Sequence, residues 1–226
     1  LWGDGGQFEE QAVPLEQALR ERSGGRAPRL ILLGAPGSGK STVLDYIAHA
    51  CLRRELPLKI GGGRYLPVKI GLRRWEQWCK DHHRYRLAQY LGEALASRGT
   101  PSMELWDQWL AAGRILVLLD GLDELSGDVD FYEQALKGLL ADREVSGCPM
   151  ILTSRTVSYD AYRRLAPHLP VYTLGGLSPR QQAAFIRRYP APPGSRFDAE
   201  ALIAELRRLP NVRPLAANPL LLSILC

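Results

Sequence analysis

The residues from Gly34 to Ser41 are the clearest candidates for chemistry in this sequence. They read Gly-Ala-Pro-Gly-Ser-Gly-Lys-Ser and fit the pattern G-x-x-x-x-G-K-[ST], which is typical of loops that cradle nucleotide phosphates. Glycines let the backbone curl so that several N–H groups face one phosphate, and the following helix adds its positive end. Lys40 is expected to reach the β- and γ-phosphates, Ser41 to bind Mg²⁺ and Thr42 to contact the α-phosphate. The predicted phosphate-binding residues are Gly34, Ala35, Pro36, Gly37, Ser38, Gly39, Lys40, Ser41 and Thr42.

A second candidate site lies where an apolar run ends in acidic residues. Asp120 follows the run Leu116–Leu119, and Asp123 and Glu124 come three and four positions later. Ligands of open parallel sheets bind beyond the carboxyl ends of the strands, so Asp120 is expected beside the phosphate loop. There it would hold Mg²⁺, through water. Asp123 and Glu124 are candidates to orient and polarise an attacking water molecule, and the spacing does not decide between them.

A basic residue follows another short apolar run. Arg155 comes two positions after the run Met150–Thr153. At the same edge of a parallel sheet, its guanidinium would reach the γ-phosphate and report whether that phosphate is present. Arg155 and Lys40 therefore join Asp123 and Glu124 as candidate catalytic residues.

Strands that alternate with helices must position these residues. Short apolar runs predict the strands, and a periodicity of 3.6 residues predicts the helices. The predicted strands are 29–33, 65–72, 114–119, 150–153 and 171–174. The predicted helices are 8–22, 40–54, 86–97, 102–112, 130–144, 178–189, 198–209 and one from about 214 to the end. This alternation indicates an α/β fold with a parallel sheet and helices on both faces, followed by a small helical unit.

Other residue types that can take part in chemistry, namely tryptophan, histidine and cysteine, are predicted to have structural roles. The tryptophans Trp75 and Trp78, spaced at i and i+3, are predicted to serve packing. The pair His82-His83 is predicted to lie in an exposed loop. Four cysteines contain no CxxC pair, which argues against a zinc site.

Composition and charge exclude several classes of protein. The chain has 226 residues, of which 46% are hydrophobic and 23% charged, a balance typical of globular rather than disordered chains. No apolar run approaches the roughly 18 residues that span a bilayer, and no basic leader precedes an apolar core. A cytoplasmic location without membrane contact is therefore expected. The net charge of +5 comes from scattered basic residues, which argues against nucleic acid as a partner.

Together, the three candidate segments resemble the NACHT family of signal-transduction ATPases, which is related to the AAA+ proteins. The phosphate loop reads LILLGAPGSGKST and the acidic strand reads RILVLLDGLDEL. In that segment, a small residue, Gly121, follows Asp120, and the acidic pair Asp123-Glu124 comes after it, as is usual in the family. The Arg-bearing strand reads ILTSRT, and the family usually has proline at the position of Thr156.

The resemblance covers about residues 27–226. Its further parts are the second strand, YLPVKIGLR (65–73), and the helix LSPRQQAAFIRRY (177–189). The segment Asn218-Pro219-Leu220 resembles the family segment whose proline packs on adenine, so Pro219 is an expected nucleotide contact. The resemblance also brings the segment before the first strand, here Gly3–Gln7, near the base.

The family implies a five-stranded sheet of order 5-1-4-3-2 and three parts of the chain. These are a helical lead-in (1–26), a nucleotide-binding α/β domain (27–176) and a small helical domain (177–226) whose end the chain truncates. The cofactors implied are ATP or ADP with Mg²⁺. Slow ATP hydrolysis would act as a switch between a closed ADP form and an open ATP form that self-associates.

The resemblance also suggests a larger biological context. Sensor and effector domains would lie elsewhere in the same longer chain. The composition favours a bacterial origin, and many bacterial members act in antiviral defence, a form of innate immunity.

Three alternative functions stay open from the sequence. A kinase with the same loop would transfer phosphate to a small molecule, but the Asp120–Glu124 cluster favours water as acceptor. A nucleotide-dependent scaffold would bind without useful turnover, against which the intact acidic residues argue. A DNA-handling AAA+ motor gains little support from the scattered basic charge.

Overall fold

A five-stranded parallel sheet forms the centre of the computed structural model. The structure describes residues 12–19, 27–53, 55, 65–94, 101–128, 130–140, 145, 147–158, 169–190 and 197–226. The strands are β1 (Arg29–Leu33), β2 (Leu66–Gly71), β3 (Ile115–Asp120), β4 (Met150–Ser154) and β5 (Val171–Thr173). Their order in the sheet is β2-β3-β4-β1-β5, so the expected order 5-1-4-3-2 is confirmed.

Helices surround the sheet and continue beyond it. They are α1 (Leu15–Ala18), α2 (Lys40–Leu52), α3 (Leu72–His82), α4 (Leu87–Ala94), α5 (Met103–Ala111), α6 (Lys137–Leu140), α7 (Pro179–Arg188), α8 (Ala199–Arg208), α9 (Arg213–Ala216) and α10 (Pro219–Leu225). A 3₁₀ turn covers Leu122–Glu124, and a π-helical segment, Phe131–Leu136, leads directly into α6. None of the helices in the described ranges is long and apolar enough to cross a membrane.

Strand β3 shows how the pleat places helices on both faces of the sheet. Ile115, Val117 and Leu119 face one apolar cluster, whereas Leu116 and Leu118 face the other. Successive side chains of a strand point to opposite faces, so each cluster receives every second residue. The first cluster is closed by α3, α4, α5 and the segment 131–140, and the second by α1 and α2.

Helix α3 is a finding that the sequence did not predict. The expected strand extended through Leu72, whereas the structure begins a helix at that residue, immediately after β2. Leu72, Trp75 and Cys79 are fully buried, and their spacing of three and four residues is that of one helical face. The helix ends at His82, so the predicted loop is wrong for His82; His83 follows the helix with a left-handed φ of 51°, and both histidines are exposed as expected.

The part of the chain after the sheet, described for residues 177–190 and 197–226, contains a third apolar cluster and is referred to below as the helical tail. Ile186, Ile203, Leu206 and Leu222 are among its buried residues. Helix α7 begins at Pro179 after a capping box in which Ser178 and Gln181 exchange hydrogen bonds, as the Ser-Pro start signal predicts. The expected helix over 8–22 reduces to α1 within the described residues, and Gly3–Gln7 lie outside them.

Trp75 offers a test of this packing. Its side chain is fully buried, with the Phe131 ring 5.1 Å away edge-on and the Tyr90 ring at 6.2 Å. Trp75→Ala should lower the free energy of unfolding by about 3–5 kcal/mol, because the change removes buried area and leaves a cavity. Arg73→Ala, on the exposed face of the same helix, should change it by less than about 0.5 kcal/mol. Urea denaturation measures both; equal losses would contradict the orientation of α3.

Candidate functional site

A cleft opens where the strands β1, β3 and β4 end. Its volume is about 1000 Å³, and it lies between this edge of the sheet and the helical tail. The sequence-predicted residues that line it are Pro36, Gly37, Ser38, Gly39, Lys40, Ser41, Thr42, Asp120, Asp123, Glu124, Arg155 and Pro219. A smaller cavity of about 350 Å³ beside Glu76 and Phe131 contains none of the predicted site residues. The parallel sheet therefore gathers three distant segments and the helical tail at one place.

The phosphate loop, Gly34–Gly39, joins β1 to α2. Gly37 and Gly39 have φ angles of 72° and 91°, a left-handed conformation that other residues adopt only at a cost. Helix α2 then begins at Lys40 on the wall of the cleft, so its positive end lies there. The Ser38 hydroxyl is buried and has no hydrogen-bond partner among the described residues. A loop of this shape, with a spare hydroxyl donor, fits a phosphate group.

Lys40 lies across its own loop. Its Nζ donates to the carbonyl oxygens of Gly34, at 2.9 Å, and Ala35, at 3.1 Å. Burial lowers the pKa of Lys40 below its usual value, and the negative charge of Asp123 partly opposes that effect. Asp120, Glu124 and Arg155 also act on this ammonium electrostatically, so these side chains share one electrostatic environment.

Asp120 is held at the end of β3 by a hydrogen bond from the neighbouring strand β4. Its Oδ1 accepts from Thr153 Oγ1 at 2.8 Å, and the Gly121 N–H donates to that same hydroxyl oxygen at 3.0 Å. Its Oδ2 lies 3.5 Å from Lys69 Nζ. Sequence reasoning did not identify Thr153 or Lys69 as site residues. The signal available was polar residues in two apolar strands: Thr153 next to Ser154 in MILTS, and Lys69 in LPVKIG.

Asp123 and Arg155 form an ion pair between two segments that follow separate strands. Asp123 Oδ1 accepts from the Arg155 main-chain N–H at 3.0 Å, and Oδ2 lies 2.7 Å from Arg155 Nε. The Asp123 side chain is 6% exposed, so both of its oxygens are engaged and largely shielded from water. Glu124 is exposed and bends back over Gly121, where an added Cβ would lie 3.0 Å from the Glu124 Cδ. The two acidic residues of the predicted pair thus have different environments.

The helical tail bonds directly to the phosphate loop. Asn218 Nδ2 donates to the Pro36 carbonyl at 2.9 Å, and the Leu220 N–H donates to the Gly37 carbonyl at 3.3 Å. The other side of the same amide caps α10, because Asn218 Oδ1 accepts from the Leu220 and Leu221 N–H groups. A Cβ at position 37 would lie 2.7 Å from the Leu220 Cβ, so glycine is required there for contact as well as for φ. The sequence indicated Pro219 but not these flanking contacts.

Apolar side chains form part of the lining of the cleft. Val13, Leu174, Leu177 and Phe185 belong to this part, and Tyr46 of α2 adds an aromatic ring that is about half exposed. Apolar and aromatic walls with a few polar groups are the usual lining of a small-molecule site. This wall and the phosphate loop together give a site with one apolar part and one anion-binding part.

Oxygen donors that suit Mg²⁺ lie beside the phosphate loop. The Asp120 carboxylate and the Ser41 hydroxyl both line the cleft. Within the ranges that the structure describes, no group of three His, Cys, Asp or Glu side chains could hold a metal ion alone. Mg²⁺ is commonly bound by one or two protein oxygens together with substrate phosphates and water, and the donors here fit that mode.

Comparisons with known proteins agree with this geometry. The family model of the NACHT domain matches residues 28–191. No curated protein matches the sequence significantly. Among solved structures, Hsp104 in its closed state with ATPγS and FITC-casein is 18% identical, with a TM-score of 0.57. That alignment covers 87% of this chain and 33% of the Hsp104 chain.

A second solved structure has the same architecture. ORC1 of Aeropyrum pernix, in complex with DNA, is 17% identical with a TM-score of 0.50, over 84% of this chain and 51% of the ORC1 chain. This chain therefore spans about a third to a half of the proteins that it resembles in structure. At such low identity, these likenesses show the fold alone, a P-loop NTPase sheet of the AAA+ type. The NACHT family model covers most of the chain, residues 28–191. The chain accordingly belongs to the NACHT domain family and contains a nucleotide-binding NTPase module.

Proposed function

We propose that this chain is the ATP-dependent switch module of a larger NACHT signalling or defence protein. The observation that carries the proposal is the pair of hydrogen bonds from Asn218 and Leu220 to the carbonyl oxygens of Pro36 and Gly37. A loop of this kind offers its N–H groups to phosphate, and here its carbonyl groups hold the helical tail. A change of ligand on one side of the loop would therefore alter the hydrogen bonds to the helical tail on the other side.

ATP or ADP is the proposed ligand. The phosphate loop residues Gly34–Gly39 and the side chains of Lys40, Ser41 and Thr42 would bind its phosphates. The apolar wall with Pro219 would take the adenine. Asp120 and Ser41 would hold Mg²⁺, which neutralises phosphate charge and orients the γ-phosphate for transfer. Lys40 must leave the carbonyls of its own loop to reach a phosphate, and its three N–H donors allow that exchange.

Hydrolysis would use Glu124 as the general base. A water molecule attacks the γ-phosphorus, its proton passes to the Glu124 carboxylate, and ADP leaves with the bond to the γ-phosphate broken. Glu124 is exposed to the cleft, whereas both Asp123 oxygens are already engaged with Arg155. Asp123 is thus the positioning residue for Arg155, and Arg155 is the proposed sensor of the γ-phosphate. Slow turnover is expected, because Arg155 must leave a shielded ion pair before it reaches that phosphate.

The contact between the two proposed domains, residues 27–176 and 177–226, would depend on which nucleotide is bound. The ADP form keeps the helical tail on the loop, and the ATP form releases it and exposes surface for self-association. Sensor and effector domains of the same longer chain would set and read this state in the cytoplasm, in a role such as antiviral innate immunity. A scaffold without turnover and a small-molecule kinase are the competing functions, and hydrolysis of ATP without an added acceptor distinguishes the switch from both.

Lys40→Ala tests the phosphate site. The change removes the ammonium group from the loop and should weaken ATP binding at least tenfold, or about 1.4 kcal/mol. Lys80→Ala is the matched control, because that lysine pairs with Ser126 and Asp128 instead of lining the cleft. Isothermal titration with ATP and Mg²⁺ measures both affinities. Equal ATP affinity in Lys40→Ala and the parent chain would refute the assignment of the loop.

Glu124→Gln and Asp123→Asn separate the roles of the acidic pair. Glu124→Gln should bind ATP within about threefold of the parent and hydrolyse it at least about 100-fold more slowly, because the base is lost. Asp123→Asn keeps an acceptor for the Arg155 N–H but loses the ion pair, so it should slow hydrolysis less and change the ratio of ATP to ADP affinity. Phosphate release under single-turnover conditions measures the rates. A Glu124→Gln chain with the parent rate would disprove the proposed base.

Asn218→Asp tests the coupling between the loop and the helical tail. Aspartate still caps α10 but cannot donate to the Pro36 carbonyl. In the parent chain, ADP should slow hydrogen exchange of residues 219–225 and ATP should not; in Asn218→Asp, this difference should disappear. Asp198→Asn, at the corresponding cap of α8, should keep it, since the Asp198 side chain accepts from the Glu200 and Ala201 N–H groups at the start of its own helix. A nucleotide-dependent difference that survives Asn218→Asp would rule out this coupling contact.

A further inference from the structure

Lys69 places an ammonium group between carboxylates of two different elements. Its Nζ lies 2.7 Å from Asp45 Oδ1 on α2 and 3.5 Å from Asp120 Oδ2 at the end of β3. The same nitrogen donates to the Ser41 main-chain carbonyl at 3.2 Å. Lys69 therefore contacts both residues that are proposed to hold Mg²⁺, although it lies on β2, far from the phosphate loop in sequence.

Both oxygens of the Asp120 carboxylate face protein groups. Thr153 donates to Oδ1, and Lys69 faces Oδ2. The Thr153 hydroxyl is a neutral, buried donor, so it fixes the orientation of the carboxylate without cancelling its charge. Of these two neighbours, only Lys69 carries a positive charge that opposes the negative charge of Asp120. A divalent cation that uses Asp120 must therefore share Oδ2 with an ammonium group or displace it.

The position of Lys69 makes such a displacement physically accessible. Its side chain is 30% exposed, and a lysine has a flexible stem with a compact, strongly hydrated charge. Its closest partner, Asp45, is exposed, and a pair of that kind contributes little free energy by itself. Lys69 can thus stay bonded to Asp45 while it moves away from Asp120. Asp45 offers the ammonium group an alternative partner when a metal ion binds.

We infer that Lys69 is a resident counter-cation of Asp120 that sets the concentration of Mg²⁺ the site requires, an inference that rests on the proposed nucleotide function. With Lys69 present, the group of Asp45, Asp120 and Lys69 has a net charge of −1 and attracts a divalent cation moderately. Without the lysine, the charge becomes −2 and the attraction increases. With Asp45 neutralised, the charge becomes 0 and Lys69 is released toward Asp120.

The test is the Mg²⁺ dependence of ADP binding to the 226-residue chain, measured by calorimetry at stepped concentrations of free Mg²⁺. Lys69→Gln should lower the half-saturating Mg²⁺ concentration at least about fivefold, because a repelling charge is removed. Asp45→Asn should raise it by at least about threefold. Lys69→Arg should stay within about twofold of the parent, since the charge is kept. Lys80→Gln, which removes a lysine paired with other carboxylates, should cause no change.

Thermal unfolding gives a second readout that needs no nucleotide. In EDTA, Lys69→Gln should melt below the parent, because Asp45 and Asp120 then lack their counter-cation; Lys69→Arg should restore the melting temperature. A misfolded chain would not reach half-saturation at a lower Mg²⁺ concentration than the parent. The two readouts together therefore exclude a merely structural effect.

The possible failures are distinguishable. If the parent chain binds no ADP at any Mg²⁺ concentration, the proposed function falls and the inference falls with it. If the parent binds ADP in a Mg²⁺-dependent manner but Lys69→Gln needs as much Mg²⁺ as the parent or more, the inference alone is overturned. Opposite shifts in Lys69→Gln and Asp45→Asn would support it.

Discussion

Parallel pairing of β1, β3 and β4 brings the chemistry of this chain to one edge of the sheet. Leu33 is in register with Ser154, and Leu119 with Leu152, so the three strands end at nearly the same level. The phosphate loop, the acidic turn and Arg155 each begin where one of these strands stops. A crossover connection between parallel strands keeps this direction the same, so every strand delivers its next residues to the same side. The cleft exists because of this constraint and not because of any single side chain.

At that edge, several charged side chains already contact protein groups of opposite charge or carbonyl oxygens. Asp123 holds Arg155, Lys69 faces Asp120, and Lys40 lies on the carbonyls of its own loop. Each of these contacts uses a group that is also suited to a phosphate or to a metal ion. Bringing a nucleotide into the cleft therefore exchanges one set of charge contacts for another. An exchange of this kind costs less than burying an unpaired charge.

The phosphate loop has two functional sides. Its glycines adopt a left-handed backbone, and α2 begins at Lys40 with its positive end at the cleft. The carbonyls of Pro36 and Gly37 face the helical tail, where Asn218 and Leu220 donate to them. The narrow contact between Gly37 and Leu220 leaves no room for a larger residue. One short loop thus lines the cleft and also binds the helical tail.

The sequence by itself determined the local features. The phosphate loop, the acidic residues after β3, Arg155 after β4 and the Ser178 start of α7 were all readable, because each depends on neighbouring residues and on standard backbone geometry. The strand order followed from resemblance and not from periodicity. Helix α3 was missed because it begins without a loop directly after β2, so its first turn continued an alternating pattern.

Only the tertiary structure decided which partners these residues have. Asn218 bonds to a carbonyl 182 positions earlier, Asp123 to an arginine 32 positions later, and Lys69 to carboxylates on either side of it in the chain. Such contacts depend on how α2, the strands and the helical tail pack, and no local pattern encodes the distance between two side chains that are remote in sequence. The motifs identified a phosphate-binding loop, whereas packing decided that the carboxylate beside it already has an ammonium group as its neighbour.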